Sequence, residues 1–190
     1  GKAVTLTQTG SYFANVGEMT IKADGSIATQ LVPTYDGLDS AVAGIQTEWV
    51  SAVDDMLGEK IAVAETNFYI SDPATGKRRI RSGETNLGDF CADAYRYMMG
   101  AEIGMMNGGG IRSTIEAGDI TYEDALTVYP FGNMICMANV PGSALRDALE
   151  MGARMYPQET GSFIQVSGIT YTIDSSIPSS VQVDEQGNFA

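Results

Sequence analysis

Apolar and polar positions alternate with period two near the start of the chain and recur with helical spacing further on. Val4-Thr5-Leu6-Thr7-Gln8 alternates, and so does Gly17-Glu18-Met19-Thr20-Ile21-Lys22-Ala23. Period two predicts strands, so the first 33 residues read as strands. Asp24-Gly25 sits where a tight turn would fold the second run onto Ser26–Val32, and Pro33 ends that run. Asp36-Gly37 opens a loop, and Asp39 or Ser40 can cap a helix. Val42, Ile45, Trp49, Val53 and Met56 then recur at helical spacing, and Gly58 terminates the pattern. Ile61–Ala64 predicts a short strand, and residues 66–83 predict irregular chain.

The strongest helical pattern runs from Asn86 to Met99. Leu87, Phe90, Cys91, Ala94, Tyr97 and Met98 fall on one face, and Gly100 stops the helix. Ile103–Met106 predicts a strand that delivers Asn107-Gly108-Gly109-Gly110-Ile111-Arg112 at its end. Tyr122–Val128 predicts a short helix and Met134–Val140 a strand broken by Pro141-Gly142. Ser143 is the expected cap of a helix whose face is Leu145, Ala148, Leu149 and Gly152. Phe163–Val166 and Ile169–Ile173 predict a hairpin around Ser167-Gly168. Interleaved strands and helices predict an α+β domain, a mixed sheet with packed helices.

Composition narrows the chemistry. The net charge of −13 repels a phosphate backbone, so general nucleic-acid binding is not expected. There is no histidine, which removes the usual general base and the commonest metal ligand from this chain. Cys91 and Cys136 are far apart and form no Cys-x-x-Cys pair, so no structural zinc site is expected. Both are read as buried free thiols. No apolar run approaches the ~18 residues a membrane span needs. The start at Gly1-Lys2 lacks an initiator Met, as in a piece of a longer chain.

The candidate chemistry centres on the glycine loop. Three consecutive glycines expose bare backbone and permit φ > 0, so a ligand can approach the N–H groups directly. Asn107 opens the loop with one acceptor and two donors, and Arg112 closes it with a planar guanidinium suited to phosphate or carboxylate. The loop is neither a Walker P-loop nor a dinucleotide fingerprint, because no Gly-Lys-Ser/Thr follows and Arg112-Ser113 stands where a third glycine is needed. It reads equally as a tight turn. Phe131, in Pro130-Phe131-Gly132-Asn133, is either a core residue or a stacking plate for a heterocycle. Lys77–Arg81 holds four of the eleven basic residues and is either a solvated loop or the place where an acidic protein holds an anion. Arg81 is its member nearest the helix that begins at Asn86, whose N-terminus favours negative charge. Glu123-Asp124 and Asp184-Glu185 read as solvated carboxylates.

These motifs stand in a telling order. Glu84-Thr85-Asn86-Leu87-Gly88-Asp89, Asp93-Ala94, Asn107–Arg112, Gly118-Asp119-Ile120-Thr121, Tyr129–Asn133, Gly142-x-x-Leu145 and Gly161-x-Phe163-Ile164-Gln165-Val166-Ser167-Gly168 follow one another. From about residue 77 to 174 the chain resembles the C-terminal, substrate-binding domain of the 5′-nucleotidase / UDP-sugar hydrolase / 2′,3′-cyclic phosphodiesterase family. The resemblance implies that Asn107, Gly109 and Gly110 meet the base, and that Arg81 and Arg112 hold ribose or phosphate oxygens. It implies that Phe131 is one of two plates sandwiching the base, with Asn133 beside it. Gly10-Ser11-Tyr12-Phe13 through Ile21 is similar to the closing strands of the family's catalytic domain. The implied layout is 1–33 as that domain's tail, 34–60 as a linker helix, and 61–190 as the first part of the binding domain.

By the same resemblance, the parent is a metal-dependent phosphohydrolase acting on nucleoside 5′-phosphates, UDP-sugars or cyclic nucleotides outside the cytoplasm. Two divalent metal ions belong to its separate catalytic domain, and this chain is expected to hold no cofactor and to be inactive alone. The family continues past Ala190 with the second plate and a Gly-Gly-Asp motif that does not occur here, so the fold is expected to be incomplete. The expected partners are a nucleoside or nucleotide, the parent's own catalytic domain, and a second copy through the N-terminal strands. The rival from another class is a non-catalytic cell-surface binding or adhesion module with the same fold. A thiosulfate-handling relative is disfavoured, because a small inorganic anion needs no stacking plate.

Overall fold

The alternation around Asp24-Gly25 produces the expected hairpin in a computed structural model that describes residues 4–10, 13–33, 37 and 39–189. Strand β1 (Asn15–Ile21) pairs antiparallel with β2 (Ile27–Pro33), with Met19 opposite Thr29. Gly25 takes a positive φ of 80° in the turn, and its N–H donates to the Lys22 carbonyl. Val4–Gln8 forms no strand, because no ladder partner runs beside it among the described residues. The expectations at Gly1-Lys2, Tyr12, Asp36 and Ala190 lie outside the described residues.

Helix α1 (Ser40–Leu57) begins where expected. The Asp39 carboxylate accepts from the N–H groups of Ala41 and Val42, at 2.9 and 3.1 Å. The Gly58 N–H closes its end on the Asp54 carbonyl. The chain divides into two compact units, Gly1–Ala52 and Val53–Ala190, and α1 runs across the division. No helix is long and apolar enough to cross a membrane among the described residues.

The second unit carries the site. Strand β3 (Lys60–Ala64) pairs antiparallel with β5 (Gly118–Thr121), which the sequence pattern had not singled out as a strand. Helix α2 (Asn86–Met99) has the predicted bounds. Thr85 is its N-cap, with its hydroxyl accepting from the Gly88 N–H at 3.1 Å, and Gly100 ends it in the left-handed region. Its buried stripe is Leu87, Gly88, Cys91 and Ala92, whereas Phe90, Tyr97 and Met98 are exposed. The reason is the surface it packs on. Strand β4 (Gly104–Asn107) pairs antiparallel with β6 (Ile164–Ser167), and α2 lies on both. A Cβ on Gly104 would sit 2.1 Å from the Ala92 carbonyl, so glycine at this position is what lets β4 lie close against the helix backbone. Ile80, Leu87, Cys91, Met106, Ile111, Ile115 and Val128 form the core between them.

Helix α3 (Tyr122–Val128) also has the predicted bounds. Asp124, expected to be solvated, instead completes a capping box with Thr121. Helix α4 (Gly142–Ala153) begins two residues earlier than a Ser143 cap requires, with Pro141 at its N-cap and no side-chain cap bond. Two further expectations fail for lack of a partner strand. Met134–Val140 is exposed and outside any ladder. Residues 169–173 do not pair with β6, whose partner is β4, about sixty residues upstream. The two thiols also differ, since Cys91 is buried and Cys136 exposed.

Asp89, in the first turn of α2, is pushed up to about 6, mainly by burial and further by Glu84 and Asp93. Its folded value lies above the ordinary 3.8, so the fold favours the protonated acid. That contribution is complete below pH 3.8 and is lost as pH rises through about 6. Asp89→Asn, which mimics the neutral form, is expected to stabilise the protein by up to about 1 kcal/mol near neutral pH once solvent screening is allowed for. At about pH 4 it should change little. Urea midpoints at the two pH values check this, and an equal gain at both contradicts it.

Candidate functional site

The glycine loop leaves the end of β4 as a single 3-10 turn, Gly108–Gly110. None of the three glycines has a positive φ. Glycine is required here by close approach. A Cβ on Gly108 would lie 1.9 Å from the Ile80 carbonyl oxygen, and one on Gly109 would lie 2.8 Å from the backbone of Gly161. The N–H groups of Gly108 and Gly109 are not bare either. They donate to the carbonyls of Phe163 and Gly161, at 2.7 and 3.0 Å. The Asn107 side chain joins the same clamp, its Nδ2 donating to the Gly161 carbonyl at 3.0 Å.

Arg112 and Phe131 come together. The Arg112 N–H donates to the Val128 carbonyl at 3.0 Å, which fixes the base of the loop to the last residue of α3. The chain then passes through Tyr129 and Pro130 into a turn where Gly132 has φ 60°. Phe131 in that turn is 58% exposed, so the core reading of this residue fails. The Arg112 guanidinium lies over its ring, 5.6 Å from the centroid, while Nη1 donates to the Gly109 carbonyl at 3.2 Å. Asn133 follows two residues on, exposed, with no side-chain hydrogen bond among the described residues.

The basic run is not one patch. Arg79 faces Asp72 at 3.7 Å. Arg78 is held by Glu159, with Nε donating to its two carboxylate oxygens at 3.2 and 3.0 Å and Nη2 contacting Oε2. Arg81 is half-buried, and its Nε is enclosed with no partner. Burial lowers its pKa first, and the neighbouring charges of Arg78 and Arg112 lower it further, while Glu159 opposes them. Arg81 therefore feels the charge of two other cations and keeps an enclosed nitrogen without an acceptor. An incoming anion would relieve both conditions.

Residues 159–163, absent from the expected site, tie these parts into one body. Thr160 donates its N–H to the Arg81 carbonyl at 3.0 Å, Glu159 holds Arg78, and Gly161 and Phe163 accept from the glycine loop. The trace of this in the sequence is Gly161-x-Phe163 at the head of a motif, with Glu159 and Thr160 outside it. A cleft of about 680 Å³ runs beside the basic run, lined among others by Lys77, Arg78, Arg79 and Tyr156.

Comparison with known proteins places residues 60–187 in the family model described as the 5′-nucleotidase, C-terminal domain. The chain is 38% identical over 130 residues to the trifunctional nucleotide phosphoesterase protein YfkN of Bacillus subtilis (strain 168), covering 66% of this chain and 8% of that protein. It is 40% identical over 116 residues to a 5′-nucleotidase of Vibrio parahaemolyticus, covering 60% of this chain and 20% of that one. A 5′-nucleotidase of Vibrio vulnificus is 34% identical over 162 residues, covering 85% and 28%. The chain thus spans less than a third of the length of these curated relatives. The crystal structure of a 5′-nucleotidase precursor from Thermus thermophilus matches 93% of the chain and 37% of its own length, at 27% identity and a TM-score of 0.65.

Proposed function

The chain belongs to the 5′-nucleotidase C-terminal domain family, and on that premise we propose that it binds the nucleoside and phosphate of a nucleotide for a hydrolase. The observation that carries this reading is the Arg112 guanidinium seated on an exposed Phe131 ring and pinned to the Gly109 carbonyl. A cation lies over the ring, and the exposed remainder of the plate can stack on a base. Arg112 and Arg81 offer donors to ribose and phosphate oxygens. The exposed amide of Asn133 can read a base edge. Asn107 has committed one donor to Gly161, so it serves as a wall of the loop and retains its acceptor.

The hydrolytic step is assigned to a separate catalytic domain that carries two divalent metal ions, with residues 1–33 as that domain's tail. Among the described residues, no three Asp, Glu or Cys side chains gather to hold a metal ion. The parent is placed outside the cytoplasm, a reading supported by the Thermus relative, which is described as a precursor.

Binding of AMP and of ribose 5-phosphate to the chain tests this reading. Phe131→Ala is expected to weaken AMP by about 1–3 kcal/mol, one lost stacking contact, and to leave ribose 5-phosphate unchanged. Arg112→Ala should weaken both, because it removes charge-assisted hydrogen bonds from either ligand. Equal losses for the two ligands in Phe131→Ala would sink the stacking role.

A further inference from the structure

The segment that presents Phe131 has little of its own to hold it. Pro130 and Phe131 form a turn, and the chain from there to Val140 is exposed. Among the described residues, no backbone hydrogen bond ties any position from Pro130 to Val140 to another element. Its fixed point is the residue just before the turn. Tyr129 closes α3, its N–H donating to the Ala125 carbonyl at 3.0 Å, and its neighbour Val128 is buried. The Tyr129 ring packs against the core and stacks on Tyr95 of α2, with centroids 6.2 Å and planes 24° apart. Tyr95 follows Leu87 and Cys91 at four-residue spacing, on the row of α2 that enters the core. The Tyr129 hydroxyl is enclosed without a hydrogen-bond partner among the described residues, so the ring is what holds the side chain in place.

We infer that Tyr129 is the positioning residue for the Phe131 plate: its stack on Tyr95 fixes where the turn leaves the core, and so sets the Phe131 ring against the Arg112 guanidinium. Only Pro130 separates the two aromatics. Two residues reach at most about 7 Å, and the proline ring locks one of the torsions between them. A shift of Tyr129 is therefore passed on to Phe131 and not absorbed on the way.

Arg112 is rooted independently of that stack. Its N–H donates to the Val128 carbonyl and its Nη1 to the Gly109 carbonyl. The cation is fixed from the glycine loop, the ring is fixed from α2, and they meet 5.6 Å apart. Removing the Tyr129 ring frees the plate and leaves the bonds of Arg112 in place. This inference rests on the stacking role of Phe131 in the reading above. It adds a residue that acts on base preference through Phe131.

The proton–nitrogen correlation signal of the Arg112 Nε–H, assigned by its loss in Arg112→Lys, reports the contact without any ligand. A proton beside an aromatic face is displaced by the ring current, and Phe131→Ala marks its position once the ring is gone. Tyr129→Leu and Tyr95→Leu are both expected to move the signal most of the way to that mark. Tyr129→Phe, which keeps the ring and drops an unpartnered hydroxyl, should leave it where it was. AMP affinity should fall about tenfold in the two leucine variants, with ribose 5-phosphate changed by less than about threefold, and Tyr129→Phe should bind both as the unaltered chain does. If Tyr129→Leu does not fold, Tyr95→Leu carries the same test from the other side of the stack. Four results overturn the inference: no movement in Phe131→Ala, no movement in the folded leucine variants, equal movement in Tyr129→Phe, or equal weakening of the two ligands. The ligand-free signal separates this inference from the nucleotide reading. AMP bound by the unaltered chain with the signal unmoved in Tyr129→Leu leaves that reading standing and removes this one. The expected movement with no AMP binding removes the nucleotide reading and leaves Tyr129 as the anchor of the plate.

Discussion

Gly108→Ala should destabilise the second unit by about 4 kcal/mol or more, enough to abolish its cooperative unfolding near room temperature. The added methyl would meet the Ile80 carbonyl oxygen at 1.9 Å and its carbonyl carbon at 2.9 Å. Both are backbone atoms of a fully buried residue and cannot rotate aside. The loop's own bond from the Gly108 N–H to Phe163 would have to break as well. Gly110→Ala supplies the internal comparison. Its methyl would meet the Met106 terminal carbon at 2.4 Å, the far end of a flexible side chain, so a cost of about 1–2 kcal/mol is expected. Chemical denaturation followed by near-ultraviolet circular dichroism of the tyrosines is the suitable probe. The single tryptophan, Trp49, lies in the first unit and reports on the wrong body. If the two variants lose equal stability, close backbone approach is not why the loop is glycine.

Gln165→Leu is expected to cost about 3–4 kcal/mol, the second largest effect. Gln165 is 2% exposed, and its amide reaches three backbone groups. Nε2 donates to the carbonyls of Ile80 and Gly83 at 3.0 and 2.8 Å, and Oε1 accepts from the Thr85 N–H at 3.3 Å. Leucine keeps the volume and takes the partner from all three groups, of which the Ile80 carbonyl and the Thr85 N–H are bonded in buried surroundings, at about 1–3 kcal/mol each for those two before relaxation. The same change loosens the segment that carries Arg81 and the N-cap of α2. Phosphate affinity should therefore fall along with stability, even where the variant remains folded. Gln165→Glu restores the acceptor without the donors and should be intermediate. A leucine variant as stable as the unaltered chain would show that these carbonyls find other partners.

Local pattern carried the helices well. α2 and α3 are bounded by residues that act within one turn, Thr85 and Gly100 for one and the Thr121–Asp124 box for the other, and their bounds were legible in the sequence. Strands needed distant partners. Val4–Gln8 alternates and Met134–Val140 is a short apolar run, yet neither has a ladder among the described residues, while Gly118–Thr121 carries little pattern and is a strand because Lys60–Ala64 lies beside it. The helical face of α2 was half legible for the same reason. Leu87 and Cys91 are buried as periodicity demands, but Ala92 replaces Phe90 and Tyr97 in the buried stripe, at the point where Gly104 lets the strand approach the helix backbone. At the site, side-chain chemistry marked Arg112, Phe131 and Arg81. Glu159 escaped notice because its meaning comes from a contact with Arg78 across 81 residues.

The unlike fates of the two thiols give the chain a single chemical address. Cys91 is buried, and its thiol is pushed up to about 11, so it offers almost no thiolate at neutral pH. Cys136 stands exposed five positions along from Phe131. A maleimide dye offered to the folded protein thus attaches at one defined point, within a short stretch of backbone of the aromatic plate. No cysteine need be removed first, and unfolding announces itself when a second equivalent of dye is consumed.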